Sequence, residues 1–91
     1  MTKTYTTDAY IARKTAKAVR LDLGDLFVWV PKSVIAIEPT GVTAARGEWV
    51  IVTLPAWFVR KNDLFDFFAF SKAEVRRSVA EVLQRREAAG L

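Results

Sequence analysis

Residues 16–33, AKAVRLDLGDLFVWVPKS, alternate apolar and polar positions on either side of a Gly24-Asp25 pair. Val19, Leu21 and Leu23 interleave with Ala18, Arg20 and Asp22, which is the period of a half-buried strand. A glycine-first two-residue turn then sets the register of a β-hairpin. Leu23 falls opposite Leu26, Leu21 opposite Val28 and Val19 opposite Val30, all on one apolar face. The other face pairs Asp22 with Phe27 and Arg20 with Trp29, and an arginine across from an indole invites a cation–π contact. Pro31 cannot donate to a ladder, so the second strand ends or bulges there. The face carrying Arg20, Phe27 and Trp29 is either the seat of a helix or a binding surface.

Outward from the hairpin, Ser33 to Glu38 reads as a short third strand or an extended crossing, and residues 38–47 as a long loop. Glu48 to Leu54 is a further strand with Trp49, Ile51 and Thr53 on one face and Val50, Val52 and Leu54 on the other. Two apolar faces imply a central position or a curved, barrel-like sheet. Pro55 suits the first turn of a short helix over Ala56 to Asn62, with Trp57 and Phe58 available to pack on the sheet. Four phenylalanines within residues 65–70 are expected to plug one end of the sheet, with a partner surface as the alternative. Residues 71–90 form the C-terminal helix. Ser71 and Glu74 make a capping box, Val75, Val79, Val82 and Leu83 a narrow apolar stripe, Glu81 and Arg85 an i,i+4 pair, and Gly90 a stop. Residues 1–14 are ambiguous: Asp8 suits the cap of a helix over Ala9 to Lys14, and the threonine-rich start suits an extended segment. The expected architecture is one α+β domain spanning 1–91, a small antiparallel sheet of three to four strands with a short helix and a C-terminal helix.

Composition narrows the chemistry. The chain has 91 residues and no histidine or cysteine, which removes an imidazole base, a thiol nucleophile and the usual zinc ligands. Lys32 and Ser33 are adjacent, and neighbours in a strand point to opposite faces. Asp63 and Asp66 form an isolated D-x-x-D, and no glycine-rich phosphate loop is present. No catalytic, metal or cofactor site is therefore expected, and an enzyme is not. A chain free of cysteine, of a long apolar run and of a continuous apolar leader fits a cytoplasmic, non-membrane protein. The net charge of +4 is modest, with cations grouped at Arg13, Lys14 and Lys17, at Arg60 and Lys61, and along the final helix at Lys72, Arg76, Arg77, Arg85 and Arg86. Such a stripe is a solvated face or, beside an exposed aromatic, a site for nucleic acid.

The segment T-x-K-A-V-x-L-x-L-G-x-x-x-W-V-P-K-S-V from Thr15 to Val34, together with L-P-x-W-x-x-x-K-N-D-L from Leu54 to Leu64, resembles small β-sheet proteins of phages and mobile elements that carry no assigned catalysis. The two segments cover about a third of the chain. It departs from that pattern in its loop at residues 38–47 and in the aromatic segment and helix after residue 64. Together with the small size, the lack of catalytic groups and the excess of aromatic residues, the resemblance leads to the expectation of a non-enzymatic module that docks onto a host protein or nucleoprotein complex in the host cytoplasm, for instance as a small inhibitor of a nucleic-acid-targeting defence in the manner of an anti-CRISPR protein. Arg20, Phe27, Trp29, Lys32, Arg60 and Lys61 are the expected partner-binding residues. Direct nucleic-acid binding through the same residues and a structural homodimer through residues 64–70 are the alternatives.

Overall fold

The computed structural model describes residues 3–68 and 71–89. Five strands, β1 (Thr4–Lys14), β2 (Ala18–Asp22), β3 (Phe27–Pro31), β4 (Ala36–Ala44) and β5 (Gly47–Pro55), are followed by helices α1 (Ala56–Lys61) and α2 (Lys72–Ala89). The strands form one sheet in the order β3-β2-β1-β5-β4 with every neighbouring pair antiparallel. The α+β class is as expected, with one strand more than the sequence predicts.

Two segments account for the difference. Residues 4–14 are a strand throughout and not a helix. Tyr5, Thr6, Thr7 and the β-branched run of β5 pair row by row, and a helix at Ala9–Lys14 would leave both β2 and β5 without a central partner. Residues 38–44, expected as loop, continue β4 along β5, with a register shift between Pro39 and Val42 that absorbs the proline and Gly41 at φ +85°. The β2–β3 register is the predicted one at the four positions from Val19–Val30 to Asp22–Phe27, and the ladder runs one pair further to Ala18–Pro31, where β3 ends. The Gly24 turn is closed by Leu23 N–H donating to the Leu26 carbonyl at 2.9 Å, and Gly24 N–H donates to Asp22 Oδ1 at 2.8 Å.

The connector from Pro31 to Ala36 joins the two edge strands. Five Cα steps span at most about 17–18 Å, whereas in a flat sheet β3 and β4 stand four spacings, about 19 Å, apart before any offset along the strands. The sheet must therefore curl, although it does not close. Val34 and Ile35 of the connector pack into the core that the curl encloses, with Val19, Leu21, Val30, Val50, Val52 and Leu54 from the strands. Phe58 and Val59 of α1 and then Leu64 and Phe68 fill the same core with Phe67 at its margin, whereas Phe65 is exposed, so only part of the aromatic segment plugs the sheet. Residues 69 and 70 lie outside the described residues.

The opposite face carries a smaller core of Trp49 and Ile51 against Val75 and Val79 of α2, with Tyr10, Val42 and Leu83 at its margin. Ser71 Oγ accepts the Glu74 N–H at 3.2 Å as the helix cap, and Arg76 donates to both Glu38 oxygens at 3.0 and 2.9 Å, tying α2 to β4. Val82, expected in the apolar stripe, is exposed, and Glu81 and Arg85 form no ion pair among the described residues. The expected stop at Gly90 lies outside the described residues. A helix about 10 Å across covers about two strand spacings. Seated on β1 and β5, α2 leaves the β2–β3 hairpin bare on that side.

Candidate docking face

Phe27 and Trp29 stand on the bare side of the hairpin, 51% and 48% exposed. Among the described residues neither helix packs on them; the cores that hold α1 and α2 contain neither ring. Of the two fates open to this face, the structure excludes coverage by the C-terminal helix.

The neighbours of Trp29 come from register. Tyr10, Asp22 and Phe27 lie in one row across β1, β2 and β3, and Arg13, Arg20 and Trp29 in the next. The second row exists because β1 bulges between Ile11 and Arg13, making Ala12 an extra residue. Without the bulge Arg13 would face Val19 and turn to the core side; with it, Arg13 shares the open face with Arg20. Two like charges opposite each other are a destabilising cross-strand pair. One step beyond the ladder, Lys32 N–H donates to the Lys17 carbonyl at 2.8 Å, so a second pair of cations sits opposite each other at the end of the same hairpin. Arg13, Lys17, Arg20 and Lys32 form no ion pair among the described residues, while Lys14 is held by Glu48 at 3.1 Å.

The guanidinium of Arg20 lies over Phe27, 4.3 Å from the ring centroid, and not over Trp29 as expected. Arg20 as a whole is half-buried. Phe27 is thus covered on one side, and the Trp29 ring has no stacking partner among the described residues.

Arg46, from the β4–β5 turn, donates to both carboxyl oxygens of Asp22 at 3.0 and 2.8 Å and lies over Tyr10, 4.8 Å from the ring centroid. The Arg46 hydrogen bonds, aided by the Gly24 N–H, hold the Asp22 carboxyl below the usual aspartate range. Asp22 is thus paired chiefly with Arg46, while the nearby Arg20 charge adds to the same downward shift. A groove of about 310 Å³ adjoins this pair, where the hairpin peels away from β1; Asp8 and Asp66 line it as well. Asp8 Oδ2 accepts the Trp49 Nε1–H at 2.9 Å, and no group of three potential metal-ligating side chains occurs among the described residues.

Four of the six predicted binding residues, Arg20, Phe27, Trp29 and Lys32, thus belong to one hairpin. Arg60 and Lys61 stand apart. They are exposed on α1, which begins after the Thr4–Pro55 row at the other end of β1 and buries Phe58 and Val59 in the core on the opposite sheet face. Arg13 joins the open face in their place, while Lys17 and Lys32, in phase with core-facing Val19 and Val30, stand at the hairpin end on the other face. The sequence shows Arg13 and Lys17 as a basic grouping, but only the bulge aims Arg13 at the open face, and no residue pattern announces it. Arg76 of the helix is engaged with Glu38 of β4 and does not join the patch.

No protein-family model matches this chain, and no curated protein or solved structure is significantly similar to it. Among the described residues no helix is long and apolar enough to cross a membrane.

Proposed function

We propose that this protein is a non-enzymatic docking module whose β2–β3 hairpin binds an acidic surface of a host protein or nucleoprotein complex. It would act by occlusion, as an inhibitor of the kind expected from the sequence. The observation that carries this proposal is the row Arg13–Arg20–Trp29, an open indole beside two opposed arginines. Like charges placed opposite each other weaken a sheet, and a site that keeps them against that cost is an expected mark of function. Aromatic and arginine anchors are also the residues that dominate protein interfaces. Nucleic acid alone is the weaker partner, because stacking of successive bases uses two or three free rings, and Phe27 is already occupied by Arg20.

The test is affinity capture from host lysate with the wild type, Arg20→Glu and Lys61→Glu immobilised in parallel. A stoichiometric protein retained by wild type and Lys61→Glu and lost with Arg20→Glu is the expected result. Absence of such a protein, or equal retention by all three, counts against the proposal. Fluorescence anisotropy with single- and double-stranded oligonucleotides supplies the other arm. Tight binding that weakens steeply with salt would give the role to nucleic acid directly.

A further inference from the structure

The sheet has two free edges, and they differ. On β4 the edge is interrupted by Pro39, by Gly41 at φ +85° and by the register shift between Pro39 and Val42. Proline and bulges are the devices by which natural sheets prevent strand addition. The β3 edge is regular over Phe27–Pro31, with proline only at its end.

The hydrogen-bonding parity of β3 follows from two contacts. Leu23 N–H donates to Leu26, and Lys32 N–H to Lys17, so these pairs are hydrogen-bonded rows. In an antiparallel ladder such rows alternate. Leu21–Val28 and Val19–Val30 are then bonded toward β2, and the N–H and C=O groups of Phe27 and Trp29 point to the free edge. Pro31 has no N–H, and its carbonyl accepts Val34 N–H at 3.1 Å. Two donors and two acceptors, a residue apart, therefore lie directly beside the two exposed aromatic side chains.

We infer that β3 accepts an extended acidic peptide segment of a protein partner as a sixth strand, hydrogen-bonded to the main chain of Phe27 and Trp29. This rests on the hairpin being the docking face proposed above, and it specifies how that face binds. Charge selects the occupant. Arg20 lies beside Trp29 on its face with Arg13 behind it on β1, Lys17 and Lys32 stand at the open end of the hairpin, Asp22 is paired with Arg46, and Asp25 is the remaining carboxylate of the hairpin. A second copy of this chain would bring two such basic clusters together and is disfavoured, whereas alternating carboxylates on an added strand would project beside Trp29 toward them. Main-chain bonds would give affinity, and the Trp29 and Phe27 side chains selectivity, as in strand addition generally.

The experiment uses a nine-residue randomised peptide library selected on the wild-type protein, followed by amide hydrogen exchange of the protein with the best synthetic peptide at saturation. The expected peptides carry Asp or Glu at alternate positions, slow exchange at the Phe27 and Trp29 amides at least tenfold, and lose at least tenfold in affinity to Arg20→Glu. Peptides that bind through the hairpin, as judged by the Arg20→Glu loss, yet leave both amides unprotected would overturn strand addition while sparing the docking proposal. Selected peptides that are basic or indifferent to Arg20→Glu would overturn both, as would a selection that yields no binder together with a lysate capture that yields no partner.

Discussion

Arg46 and Asp22, 24 residues apart in sequence, join the β4–β5 turn to the end of β2 through a two-pronged contact that crosses over Tyr10 of β1. The pair spans β2, β1 and β5 and anchors the hairpin that carries Trp29. The Asp22 side chain is only 8% exposed, so this contact is better shielded than an ordinary surface ion pair.

Its pH dependence has a defined sign. Because Asp22 titrates below its usual range when folded, the pair stabilises fully above the unfolded-state value of about 3.9, and that contribution is lost as pH falls through the depressed folded value. Arg46→Ala should therefore lower Tm by a constant amount from pH 7 to about pH 5, with the gap narrowing below about pH 4. Thermal unfolding of both proteins across this range checks it; a remainder from the Arg46–Tyr10 contact is expected at every pH, and a gap that does not narrow as pH falls below about 4 contradicts it.

This contact was not legible in the sequence, whereas the hairpin register was. Alternation of Val19, Leu21, Val28 and Val30 around a glycine-first turn is local information, and local periodicity fixes which side chains share a face. Arg46 lay in a stretch that Pro39 and Gly41 made look like a loop; the neighbouring β5 ladder overrides that preference and carries β4 through it. The Thr4–Lys14 strand was legible only as one of two alternatives, extended or helical, because the partners that decide between them lie on β2 and β5. For the site, Arg20, Phe27, Trp29 and Lys32 could be read from register, but the contribution of Arg13 depends on a bulge and the separation of Arg60 and Lys61 on the curl of the sheet.

The aromatic residues divide into core and surface, and their substitutions should divide with them. Phe68 is fully buried in the main core. Phe68→Ala is expected to cost about 3–5 kcal/mol, with each kcal/mol lowering Tm by roughly 4–8 °C in a domain this small. Trp29→Ala, at an exposed position, should shift stability by less than about 1 kcal/mol. Urea unfolding of the two variants tests the division, which would be wrong if Trp29→Ala were the more damaging.

Gly47 and Gly24 both have positive φ, +130° and +104°, but only Gly47 lies against another strand, where an added Cβ would meet the Ile11 carbonyl. Gly24→Ala, with open space around it, should cost on the order of 1–2 kcal/mol. Gly47→Ala should cost more, because backbone at the β1 bulge must move as well. Equal melting temperatures for the two variants would show that the β4–β5 turn does not press on β1 as described.

The central claim, an open indole inside a field of unpaired cations, is tested most directly by ionic quenching of Trp29 fluorescence in the Trp49→Phe/Trp57→Phe protein. Iodide should quench more effectively than caesium, because Arg20 and Arg13 share the open face with the ring and concentrate anions there, and the preference should fade in strong salt. Weak quenching by both ions would mean that Trp29 is covered, and caesium quenching equal to or greater than that of iodide would mean that the two arginines do not act at it; either result contradicts the docking face.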